Sequence, residues 1–145
     1  MIANRSMPAC TVIPELAYPD VDRAVDWLCD AFGFTVRLTI ANHRAQLHVG
    51  DGAVVITELR RRDGRESDSA HAVMVRVDDV DAHHACAVSR GARILNPPAT
   101  YPYGERQYSV QDTGGHVWTF SQSVADVAPD QWGGTPGELD RGGPA

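Results

Sequence analysis

The chain has 145 residues, 43% hydrophobic and 22% charged, which suits one domain rather than two. Thirteen Lys and Arg against 19 Asp and Glu leave a net charge of −6, so nucleic acid and anionic membranes are poor partners, whereas a cationic ligand is tolerated. No apolar run reaches the roughly 20 residues of a membrane span, and the first ten residues lack a secretory apolar core; with no CxxC spacing among Cys10, Cys29 and Cys86, a reducing cytoplasm is the expected setting.

The stretch TVIPELAY reads as a first strand, which Pro14 assigns to an edge or a bulge. PDVDRAVDWLCDAFGF follows as the clearest helix. Asp20 is its N-cap, Val21, Ala24, Val25, Leu28 and Phe32 form an apolar stripe, and Gly33 ends it. FTVRLTIA, RAQLHVG and AVVITEL are three strands, the last two joined by a tight turn at Gly50-Asp51-Gly52. Residues 61–70 form a charged connector. The triple arginine Arg60-Arg61-Arg62 at its start is followed at once by acids and reads as a solvated loop.

The order then repeats. HAVMVRV is a strand, Asp79 caps the helix DVDAHHACAVSRG, and Val80, His84, Ala87 and Val88 form its weaker stripe, with His83 and His84 as a solvated pair. Ala92 to Leu95 is a short strand, NPPATYPYG a loop held by three prolines, and RQYSVQD with HVWTFSQ a closing hairpin across Gly114-Gly115. Asp20 and Asp79, Gly33 and Gly91, and Gly52 and Gly115 recur in the same order at separations of 59, 58 and 63 residues. The expected fold is therefore α+β, with two pseudo-symmetric βαβββ modules forming a partly open sheet around a cavity. The first module covers 11–60 and the second 71–122, within a single domain of 11–122. The tail 123–145 is expected to be partly disordered, although Val124 to Trp132 is apolar enough to fold back.

Three segments carry a family resemblance: YPDVDRAVDWLCDAFGF, VRVDDVDAHHACAVSRGARI and YGERQYSVQDTGGHVWTF. Together they resemble the vicinal-oxygen-chelate superfamily of glyoxalase I, extradiol dioxygenases, and fosfomycin- and bleomycin-resistance proteins. The resemblance implies the glyoxalase/bleomycin-resistance fold and, in the family's enzymes, a divalent metal held by His, Gln or Glu on the first and last strand of each module. Carried over by register, those positions are Ile13, Ile56, Ala72 and Thr119, none an ordinary ligand. No metal and no other cofactor is expected, and His71, one residue from Ala72, reads as a strand-end histidine.

Strand alternation selects the side chains that face the cavity. Glu15, Arg44, Gln46, His48 and Glu58 come from the first module, along with Ala17, Val54 and Ile56. The second contributes Met74, Arg76, Gln107, Ser109, Gln111 and Thr119, with Tyr101 and Tyr103 at the mouth as stacking groups. That face is too polar for a second core, so its hydrogen-bonding groups have water or a ligand to satisfy. Glu15 pairing with Arg76 or Arg44 is the structural alternative to a ligand role. Trp118 and Phe120 belong to the core, Trp27 to a helix–sheet or subunit contact, and Arg106 anchors its loop. No catalytic residue is assigned.

The resemblance lies closest to the metal-free bleomycin-resistance branch. It implies a protein that sequesters a small molecule, aromatic or antibiotic-like, and commonly forms a homodimer. The alternative is a glyoxalase-like lyase, isomerase or dioxygenase acting on a small organic substrate, with Glu15, His48 or Glu58 supplying acid–base chemistry.

Overall fold

A computed structural model describes residues 2, 4–59 and 71–137; the connector expected at 61–70 lies outside them. Strand β1 (Glu15–Tyr18), helix α1 (Val21–Phe32) and strands β2 (Thr35–Ile40), β3 (Arg44–Val49) and β4 (Gly52–Glu58) make the first module. Strand β5 (Val73–Arg76), helix α2 (Val80–Ser89) and strands β6 (Arg93–Thr100), β7 (Glu105–Gln111) and β8 (Val117–Ser123) repeat it. Each module is one four-stranded sheet, ordered β1-β4-β3-β2 and β5-β8-β7-β6. The first strand of each runs parallel to the last, and the other pairings are antiparallel.

The helices start and stop where the chain chemistry directs. The Asp20 and Asp79 carboxylates accept from the Arg23 and Ala82 N–H groups. Gly33 closes α1 at φ 78, a left-handed conformation that glycine takes without a Cβ penalty. The α1 stripe buries Val21, Ala24, Val25, Leu28, Ala31 and Phe32. Helix α2 buries only Val80 and Ala87 fully. Val88 is exposed, and His83 takes the place the apolar stripe was expected to supply. Far from being solvated, His83 stacks on Phe120 with 4.0 Å between ring centroids. One ring nitrogen lies 2.6 Å from the Tyr108 hydroxyl, and the other donates to the Phe32 carbonyl at 3.2 Å.

Both helices pack on one side of the sheets. Leu16, Tyr18, Ala45, Leu47, Val54 and Ile56 from the first module and Tyr108, Val110, Trp118 and Phe120 from the second share a single core with them. Phe32 joins the halves, its ring 4.9 Å from Phe120 and 5.6 Å from Trp118. Trp27 donates its indole N–H to the Arg90 carbonyl at the end of α2, which makes it a helix–helix contact.

Two expectations change here. Val54 and Ile56 lie in the core at 2% and 0% exposure, so the face of β4 turned away from the helices carries Ala53, Val55 and Thr57. Turn length explains the slip. Val49 pairs directly with Gly52 around a two-residue turn, whereas Asp112 bonds His116 around Thr113-Gly114-Gly115. Counting from glycine to strand therefore runs one residue too far in the first hairpin. Strand β6 extends through Pro97 and Pro98 to Thr100, because an edge strand tolerates proline where its pairing slips between Ile94 and Ala99. The chain from Val124 to Trp132 folds back. Val124 and Ala125 N–H groups donate to Gly104 O, and the Trp132 ring meets Tyr103 edge-on at 5.9 Å.

Candidate functional site

The helix-free faces of the two modules correspond residue for residue. Arg44, Gln46 and His48 on β3 match Gln107, Ser109 and Gln111 on β7, while Val55 and Thr57 on β4 match Thr119 and Ser121 on β8. Their chemistry differs. In the first module Arg44 and Glu15 form an ion pair at 3.6 Å. Gln46 is buried and donates to the Ser6 carbonyl at 2.8 Å. His48 is exposed, and Glu58 shares the helix side with Val54 and Ile56, which removes it from the proposed cavity set.

The second module gathers its expected residues on one face. Gln107 donates to Ser121 Oγ at 3.0 Å and accepts from the Tyr103 hydroxyl at 3.2 Å. Ser109 and Thr119 share a hydrogen bond of 3.1 Å. Gln111 donates to Gly115 O, Arg76 donates to Ser123 Oγ, and the Met74 side chain stands 65% exposed beside them. At the rim the Tyr101 and Tyr103 rings are parallel within 3°, their centroids 5.5 Å apart.

Two members of this face went unread in the sequence. Ser121 continues the alternation from Thr119, and Glu105 at the start of β7 continues it back from Gln107, so both were legible by that rule. Ser121 donates to the Glu105 carboxylate at 2.6 Å. Burial by itself raises the Glu105 carboxyl. Hydrogen bonds from Ser121 and Ser123 and the nearby Arg76 charge outweigh it and hold the group below its usual range. The face therefore presents an ionised carboxylate, amides, hydroxyls and two stacked phenols. It can orient a ligand through hydrogen bonds and hold a flat group at its edge.

The family's metal positions, corrected for the β4 register, are Ile13, Val55, Ala72 and Thr119. Val55 brings no donor atom where Ile56 was expected, so the four do not fit a divalent cation. Among the described residues no three His, Cys, Asp or Glu side chains gather as a metal site. His71 is exposed, its ring 6.4 Å from that of His116. A groove of about 540 Å³ lies on the helix side instead, between α1 and the Thr113-Gly114 turn. It contains none of the residues above, and its Asp20 is already engaged as a helix cap, so the helix-free face remains the candidate site.

Paired βαβββ modules with helices on one side and a polar open face on the other define an α+β fold class. The comparisons with known proteins give that class its family. Residues 10–120 match the Glyoxalase/Bleomycin resistance protein/Dioxygenase superfamily, and the chain belongs to it. TioX from Micromonospora sp. ML1 is 36% identical over 82% of this chain and 100% of its own, with a TM-score of 0.66. A glyoxalase/bleomycin resistance protein/dioxygenase from Nocardioides is 20% identical over 97% of this chain and 93% of its own, with a TM-score of 0.61. Lactoylglutathione lyase from Agrobacterium tumefaciens is 14% identical, covering 81% of this chain and 96% of its own at a TM-score of 0.60. The last two share the fold alone. No curated protein sequence matches the chain. Among the described residues no helix is long and apolar enough to cross a membrane.

Proposed function

We propose that the chain binds a small organic molecule on the helix-free face of its second module and sequesters it unchanged, in the manner of a bleomycin-resistance protein. The observation that carries this reading is the face itself: Gln107 bonded to Ser121 and Ser109 bonded to Thr119 on one open sheet face, bordered by the stacked Tyr101 and Tyr103. The side-chain chemistry at Ile13, Val55, Ala72 and Thr119 supports a metal-free mode. An aromatic or antibiotic-like ligand suits the phenols, and positive charge on it suits the net charge of −6 and the ionised Glu105. We place this activity in the single domain 11–122, in a cytoplasmic homodimer, with 123–145 as an appended tail.

A thermal-shift screen of the chelated protein against antibiotics and aromatic metabolites tests the reading. A ligand at 100 times its Kd stabilises the native state by about 2.7 kcal/mol. The expected hit raises the melting temperature, loses most of that effect in Tyr103→Ala, and is recovered chemically intact by mass spectrometry. Conversion of the compound to product replaces sequestration with a glyoxalase-like activity. Stabilisation that Tyr103→Ala and Gln107→Ala both leave untouched moves the site elsewhere.

A further inference from the structure

On the first module the helix-free face is occupied by the chain itself. The Gln46 amide donates to Ser6 O at 2.8 Å, and the Arg37 guanidinium donates to Arg5 O at 3.2 Å and to Met7 O at 3.0 Å. Three successive backbone carbonyls are thus held by two side chains, one on β2 and one on β3. The next residue, Pro8, is buried, while Asn4, Arg5, Ser6 and Met7 are exposed. Ala53 and Val55 on the same face are only 5% and 3% exposed although no helix covers that side.

Such contacts read a backbone and one proline, and very little else. We propose that this face is a binding site for extended peptide-like ligands, and that residues 4–8 are its intramolecular occupant. Arg37 also donates to Gln46 Oε1, so the two side chains orient each other as well as the segment. Donors so oriented lose little freedom when a second peptide takes the place of the first. Met7 is half exposed and Pro8 alone of the segment is fully buried, so the three carbonyl contacts, which another backbone can reproduce, carry most of the specific hold. The site is separate from the array on the second module and does not depend on that array's function.

The Arg5–Ser6 bond lies within the held segment, so trypsin reports on its release in the full-length protein. The displacing probe is the acetylated, amidated peptide Asn-Gln-Ser-Met-Pro-Ala, with Gln in place of Arg so that trypsin spares it. Cleavage after Arg5 is expected to be about tenfold slower in the protein than in a free peptide of residues 4–9, because it proceeds only through the released form. A tethered segment competes at millimolar effective concentration, so about 10 mM probe is expected to accelerate cleavage severalfold. Gln46→Leu and Arg37→Met are each expected to bring cleavage close to the free-peptide rate and to abolish the probe's effect, with the circular dichroism spectrum unchanged. Cleavage as fast as in the free peptide overturns the proposal. So does protection that neither the probe nor the better-folded of the two variants relieves, which makes the segment a fixed part of the fold.

Discussion

Asp112 is a buried carboxylate that joins the two modules. It accepts from the Tyr18 hydroxyl on β1, from the Trp118 indole N–H at 2.9 Å, and from the Gly114 and His116 backbone N–H groups at 3.0 and 2.9 Å. Burial, the Asp112 charge and the hydrogen bond together push the Tyr18 phenol well above its ordinary range, so it remains a neutral donor. Asp112→Asn sets an amide N–H against donors whichever way it turns, and is expected to cost about 3 kcal/mol in urea denaturation; Tyr18→Phe should cost about 1.5 kcal/mol. His83 supplies a pH dependence. Its partial burial lowers its pKa, against a weaker opposing bond to Phe32 O, while the unfolded chain keeps the ordinary value of about 6.5. The unfolded state then binds more protons just below that value. Stability is full above about pH 6.5 and falls as the pH drops toward the lowered folded value. The urea midpoint should fall between pH 7.5 and 5.5, and His83→Gln should flatten that slope.

Gly104 shows how a loop holds a segment far along the chain. Its φ is +87, and a Cβ there would sit 2.1 Å from the Ala125 carbonyl oxygen. Gly104→Ala is expected to cost about 2 kcal/mol and to detach the segment from Val124 to Trp132, seen as a red shift in tryptophan emission when Trp132 leaves Tyr103. The sequence made α1 plain, since cap, stripe and terminal glycine agree. It hid the facing of β4, because Val54, Val55 and Ile56 are all apolar and only the two-residue turn decides which of them turn inward. It hid most of β6 as well, because Pro97 and Pro98 read as loop until an edge position accommodates them. Alternation put Gln107, Ser109, Gln111 and Thr119 on one strand face, and they share the helix-free face of β7 and β8. Arg37 escaped it because the β2–β3 pairing slips between Val36 and Leu38, a bulge with no signature in composition.

The modules repeat in sequence but do not have separate interiors. Phe32 ends the helix of the first module, yet its ring packs on Trp118 and Phe120 of the second, and His83 of α2 bonds back to its carbonyl. Neither sheet closes its own apolar face, so each half depends on the other for burial. The chain is therefore expected to unfold in one transition, with far-ultraviolet circular dichroism and tryptophan fluorescence tracing the same curve. Phe32→Ala should remove about 4 kcal/mol from a total of about 5–15 kcal/mol and shift both signals together. A plateau that retains half the helical signal would show independently stable modules and refute the shared core. The consequence reaches the open faces. Their strands are held from behind by one core, so the array on β7 and β8 and the carbonyl-binding pair Arg37 and Gln46 are positioned before a ligand arrives. Weakening the junction at Phe32 should then lower affinity at both faces, without touching a residue of either.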